Sequence, residues 1–188
     1  MKMNDDDKEL VDSARNGNDE AFACLVGRYS EPVFALVRRI VGNREEAEDV
    51  VQETFVKAWS NLHKFDGRAS FPTWLWRIAC NTALTAASRH KRSKTAVTAI
   101  DERLWERVPD SEVEEFFADE ADEKRIGDLR AAITALEPRE HIFVTLFYFD
   151  ERPMAECAHI LGITENNAKV TLHRIRKKLY ALIKKRER

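Results

Sequence analysis

Residues 154–179 read MAECAHILGITENNAKVTLHRIRKKL. Pro153, just before them, suits the first turn of a short helix ending at Leu161, with Met154, Ala158 and Leu161 expected inward. Gly162 can adopt the left-handed conformation that a sharp corner between helices requires. Ile163 is expected to bury itself at that corner. Thr164 can cap a second helix, and Glu165 places negative charge in its first turn, where the helix dipole favours it. Ala168, Leu172, Ile175, Leu179 and Leu182 then recur at intervals of four, three, four and three, an inward stripe. A short helix, a glycine corner and a capped basic helix make the pattern of a helix-turn-helix. Its outer face carries Asn166, Val170, His173, Arg174 and Lys177, with Lys169 and Arg176 at the edges. Side chains early in such a second helix reach base edges in a major groove, which places Asn166, Lys169, Val170 and His173 as readers. Arg174, Arg176, Lys177 and Lys178 fall where phosphate contacts form. The competing reading is a helical hairpin with a solvated basic face.

Upstream of this motif the pattern stays helical. Leu10, Val11 and Ala14 begin a short helix that stops at Asn16-Gly17-Asn18, and Asp19 is placed to cap the next. Pro32 is read as opening a further segment with Val33, Leu36, Val37, Ile40 and Val41 as its stripe. Residues 44–62 are amphipathic, with Ala47, Val50, Val51, Phe55, Ala58, Trp59 and Leu62 on one side and Glu46, Asp49, Gln52, Glu53 and Lys57 on the other. A loop centred on Gly67 leads to Phe71-Pro72 and a long helix to about residue 90. Its expected core stripe is Trp74, Leu75, Ile78, Ala79, Thr82 and Ala86. Trp76 falls on a flank, and Arg77 and Asn81 on the far side. Periodicity fades over residues 95–123, apart from a short helix expected near residues 113–117. Ile126, Leu129, Ile133 and Leu136 then resume a stripe, and Pro138 starts another helix. The expected fold is all-α, with two small helical domains at 1–94 and 124–188 joined by a flexible acidic linker at 95–123.

Composition agrees. Gly (6) and Pro (5) are few among 188 residues, 44% are apolar, and no apolar run approaches the ~20 needed to cross a bilayer. The acidic N-terminus lacks a secretory signal, so a cytoplasmic location without membrane insertion is expected. The net charge of −2 hides segregation. Residues 101–128 hold twelve acids and four bases; residues 169–188 hold nine bases and one acid; a further basic cluster, RHKRSK, spans residues 89–94. Basic patches flanking an acidic stretch are the distribution phosphate binding requires. Three widely spaced cysteines, Cys24, Cys80 and Cys157, form neither a disulfide framework nor a zinc site, and each is expected buried or half-buried. The five histidines have no partners at metal spacing, and no phosphate loop or nucleophile elbow occurs. An enzyme, a metal, a cofactor and a small-molecule substrate are therefore not expected.

Three stretches together resemble a bacterial RNA polymerase sigma factor of the extracytoplasmic-function group. They are AEDVVQETFVKAW (residues 47–59), FDGRASFPTWLWRIACNTAL (residues 65–84) and the 154–179 run. The resemblance implies that Asp49, Gln52 and Glu53 dock on core RNA polymerase. It implies that Phe65, Gly67, Arg68, Ala69, Ser70 and Phe71 in the loop, with Arg77 and Asn81 on the helix, open and read the −10 promoter element. An unstacked base needs an apolar wall and an edge-reading amide, which Phe65 and Asn81 can supply. Asn166, Lys169, Val170, His173, Arg174, Arg176, Lys177 and Lys178 would serve the −35 element. Val170 stands where the family often has serine, and its methyls can meet a thymine methyl. The resemblance also implies an anti-sigma factor as partner. The runner-up is a stand-alone helix-turn-helix regulator with an N-terminal sensor domain.

Overall fold

The structure, a computed structural model, describes residues 5–93, 105, 108–118 and 123–187. Among them helix is the only regular secondary structure. Helix α1 (Asp5–Arg15) is pinned to α2 (Asp19–Val41) by a buried carboxylate: Asp7 accepts hydrogen bonds from the Arg28 guanidinium and the Tyr29 phenol. Such partners make a buried charge tolerable. The cap of α2 is Asn18, one residue before the expected Asp19, and its Oδ1 accepts from Ala21 N at 3.1 Å. Pro32 opens no helix. It lies inside α2, its ring exposed, while Tyr29, Val33, Leu36 and Val37 form an unbroken buried stripe past it. Core packing on one face outweighs the roughly 3 kcal/mol that an interior proline costs.

Helix α3 (Arg44–Asn61) starts at Asn43, whose Oδ1 accepts from Glu45 N at 2.8 Å, and runs into a 3-10 turn at Leu62–Lys64. Helix α4 (Phe71–Ser93) packs against both α2 and α3. Its buried set is Phe71, Leu75, Trp76, Ala79, Cys80 and Ala83. The two tryptophans thus exchange the expected places: Trp76 is in the core and Trp74 is only half-buried. The cause is a second neighbour, because α4 is also covered from the C-terminal half.

That half begins with α5 (Asp110–Ala118), within the expected linker, which lies over the short helix expected there. Residues 94–104, 106–107 and 119–122, most of the expected linker, lie outside the described residues. Helices α6 (Glu123–Thr134) and α7 (Pro138–Val144) follow. In α6 Ile126 is 40% exposed, off the stripe expected for it. Pro138 occupies the first turn of α7, and Glu140 Oε2 accepts from Glu137 N at 2.9 Å, closing that helix start. A π-helical turn (Thr145–Phe149) leads to α8 (Met154–Leu161) and α9 (Glu165–Arg186). Gly162 between them has φ +70, and Thr164 Oγ1 accepts from Asn167 N at 3.2 Å. In α8 the buried residues are Cys157, Ala158 and Ile160, with Met154 and Leu161 half-buried. In α9 they are Ala168, Leu172, Ile175, Leu179 and Ile183, with Leu182 half-buried.

The two halves meet where α4 packs on α8 and α7. Arg39 pairs with Asp150, Thr73 Oγ1 donates to Glu156 at 3.0 Å, and the Arg152 guanidinium lies 4.5 Å from the Trp76 ring centroid. Burial raises the Asp150 carboxyl above its ordinary range despite the nearby Arg39 and Arg152. Arg152 Nε is buried here without a hydrogen-bond partner, while the buried Trp76 indole N–H faces the Asp150 carboxyl and opposes its upward shift.

Candidate nucleic-acid interface

Three surfaces hold the residues singled out from the sequence. The first is a cleft of about 490 Å³ between α3, the 3-10 turn and α4, lined by Lys57, Asn61, Lys64, Trp74, Arg77, Ile78, Asn81, Thr82 and Thr85. Asn81 and Arg77 are exposed, so amide and guanidinium are available. Lys57 Nζ lies 3.2 Å from Thr82 Oγ1 and 2.7 Å from Glu53 Oε1. Phe65 and Phe71 require correction. They are 5% and 0% exposed, edge to face with centroids 6.0 Å apart, and Phe65 packs against Trp74 at a tilt with centroids 5.4 Å apart. Their apolar area is better buried than left facing a solvated loop. The apolar wall open to the cleft is Trp74, and the two phenylalanines support it from below. Gly67 turns the loop with φ +73, and Arg68, exposed, pairs with Asp66 at 3.1 Å. Ala69 and Ser70 are half-buried; Ser70 Oγ lies 2.8 Å from Thr73 Oγ1 at the start of α4. Lys57, Lys64 and Trp74 were not among the residues picked for this site. Their signal was spacing across three elements that meet only in the fold.

The second surface is on α3. Asp49, Gln52 and Glu53 are all exposed. Beside them runs an apolar groove of about 840 Å³ between α2 and α3, which sequence reasoning missed. Phe22, Val26, Phe34, Val51, Val56 and Trp59 line it, and Gln52 and Glu48 form part of its rim. Val56 is 60% and Trp59 38% exposed. The expected apolar face of α3 therefore splits: part is core and part is open groove.

The third surface is α9. Asn166, Lys169, Val170, His173 and Arg174 are exposed, with Val170 at 51%. Arg176, Lys177 and Lys178 are half-buried and internally engaged: Arg176 lies 5.5 Å over the Phe117 ring, Lys177 is 2.6 Å from Asp110, and Lys178 is 2.7 Å from Glu140. The side chains of residues 89–94, the other basic cluster, lie outside the description. Among the described residues no cluster of histidine, cysteine and carboxylate is arranged to hold a metal. Cys24 is exposed, unlike its expected placing; Cys80 and Cys157 are buried, and burial pushes both thiols up to about 12. No helix among the described residues is long and apolar enough to cross a membrane.

Family models for sigma-70 region 2 and sigma-70 region 4 match residues 25–93 and 126–179, one carrying the cleft and α3, the other the helix-turn-helix. The chain belongs to the extracytoplasmic-function branch of the sigma-70 family. An extracytoplasmic-function RNA polymerase sigma factor from Bacillus subtilis is 29% identical over 178 residues, 92% of this chain and 94% of its own length. Among solved structures, one of CnrH in complex with the cytosolic domain of CnrY covers 96% of this chain and 98% of its own at 24% identity and a TM-score of 0.64. The sigma factor RpoE of Bartonella quintana, solved with the anti-sigma factor NepR, covers 87% of this chain and 96% of its own at 18% identity and a TM-score of 0.56. Both likenesses concern the fold. This sigma-family chain thus carries a region 2 module followed by a region 4 module.

Proposed function

We propose that this sigma factor docks on core RNA polymerase through α3 and reads a promoter with two surfaces, the α4 cleft for the −10 element and the N-terminal half of α9 for the −35 element. The observation that carries this reading is the cleft, where an exposed amide (Asn81), an aromatic wall (Trp74) and two ammonium groups (Lys57, Lys64) converge. A base swung out of a melted duplex needs a stacking wall and an edge reader, and its backbone needs cations. Arg77 and Arg68 add phosphate contacts. On α9, Asn166, Lys169, Val170 and His173 reach base edges, and Arg174 leads the phosphate contacts that Arg176, Lys177 and Lys178 extend.

Asp49, Gln52 and Glu53 supply the charged part of the polymerase contact, and the neighbouring groove takes apolar partner side chains at Val56 and Trp59. Residues 1–94 and 124–188 act as separate units joined by 95–123. The factor works in the cytoplasm, needs no cofactor and catalyses nothing itself. Control by an anti-sigma factor is supported by the Bartonella quintana relative, which was solved with one.

The test is binding to core polymerase followed by run-off transcription from a promoter pool. Asp49→Lys with Glu53→Lys is expected to remove core binding and all run-off product while leaving the helical circular-dichroism spectrum unchanged. Retention of core binding by that variant overturns the docking assignment.

A further inference from the structure

Helix α5 has the sequence DSEVEEFFA, with four carboxylates and no base. It does not hang free: it lies along α9. Asp110 Oδ1 is 2.6 Å from Lys177 Nζ and 3.2 Å from His173 Nε2. Tyr180 Oη donates to Glu112 Oε2 at 3.2 Å. His173, Lys177 and Tyr180 follow one another at helical spacing, so the acids run along a single face of α9. An apolar row holds them there. Val113 is 3% exposed, and Phe116 stands edge-on to Tyr180 with centroids 5.2 Å apart. The Lys177 side chain, with its ammonium on Asp110, is only 14% exposed. Lys177 holds the Asp110 carboxyl below its usual range, so it stays ionised at neutral pH.

We propose that α5 is an internal stand-in for promoter DNA, an acidic helix that occupies the −35 face of α9 until a duplex displaces it. The inference rests on the reading of α9 as the −35 helix. A carboxylate at hydrogen-bond distance from Lys177 uses the cation that a DNA phosphate would neutralise. His173, a base reader in that assignment, shares the same oxygen. Asn166, Lys169 and Val170 remain exposed, so a duplex can engage the first turns of α9 before α5 leaves the later ones. Both contacts are electrostatic, and salt weakens both.

The experiment measures full-length protein binding a fluorescent random-sequence duplex pool by anisotropy at about 50 mM and about 200 mM salt. Asp110→Ala is expected to tighten binding roughly fivefold at the lower salt, with the gain shrinking at the higher. Glu115→Ala makes the same change in net charge on α5 and serves as its control; it is expected to have little effect. Arg174→Ala, exposed and away from α5, is expected to weaken binding. If Asp110→Ala leaves binding unchanged while Arg174→Ala weakens it, α9 is the reader and the stand-in role is overturned. If Glu115→Ala tightens binding as much as Asp110→Ala, the effect is bulk charge and the proposal also fails. If neither Asp110→Ala nor Arg174→Ala changes binding, the −35 reading fails and the inference with it.

Discussion

Asn81 and Trp74 line the same cleft, and under the proposed function they do different physical jobs there. An amide discriminates by donor and acceptor pattern, whereas an aromatic wall accepts any base, because every base has a stacking face. Asn81→Ala is therefore expected to reduce run-off transcription unequally across a set of −10 variants. Trp74→Ala is expected to reduce it on all of them by a similar factor, roughly fivefold or more, at about 1–3 kcal/mol per stacked base. Measuring initiation across that set checks both; an equal loss across all variants for Asn81→Ala would make its amide structural. The exchange between Trp74 and Trp76 belongs to this scale too. Both sit on a helix whose periodicity was clear, but periodicity gives a face only to within a residue when two neighbours pack on it.

At the scale of the element, α9 depends on how it starts. Gly162 takes the corner at φ +70, where a side chain would be strained, and Thr164 satisfies the amide of Asn167. Asn166, Lys169 and Val170 stand in the first turns beyond that cap. Thr164→Ala is expected to cost about 1 kcal/mol of stability. Its larger effect should be on −35 reading, because fraying begins at the turns that hold the proposed readers. Thermal unfolding measures the first and −35-dependent initiation the second. Loss of stability with initiation unchanged would mean that bound DNA holds the helix start without the cap. Helix α2 makes the converse point: an interior proline survives because its opposite face is core.

Across the whole molecule the seam between α4 and α8 is the feature that the proposed function requires to change. Arg77 of the α4 cleft rests against the helix-turn-helix corner, so closely that a Cβ on Gly162 would meet its Nη2 at 3.4 Å. Promoter elements named −10 and −35 stand about 25 base pairs apart, on the order of 80 Å of duplex at ~3.4 Å per step. A 22-residue helix such as α9 spans only about 33 Å, so the proposed reading of both elements by one chain requires the seam to part on the promoter. Its chemistry suits parting: Arg152 Nε is buried there without a partner, a state that costs roughly 1–3 kcal/mol. Arg39→Ala with Asp150→Asn removes an ion pair across the seam worth about 1 kcal/mol. Small-angle scattering should then show a larger radius of gyration with helix content unchanged. An unchanged radius would mean that apolar packing alone keeps the halves together.

The sequence by itself determined the all-α fold, the helix-turn-helix and most of its inward stripe, the capped starts at Pro138 and Thr164, and the exposed polar and basic face of the last helix. These follow from short-range rules: helical periodicity, glycine at a left-handed corner, side-chain caps and local charge. The tertiary structure alone decided that Phe65 and Phe71 are core, that Trp74, Lys57 and Lys64 share a cleft with Asn81, and that the apolar side of α3 opens as a groove. It also decided that acids counted as linker lie on the basic face of α9. Each of these depends on which distant element covers a given face. Burial and charge pairing are set by neighbours in space, and a one-dimensional pattern records only neighbours along the chain.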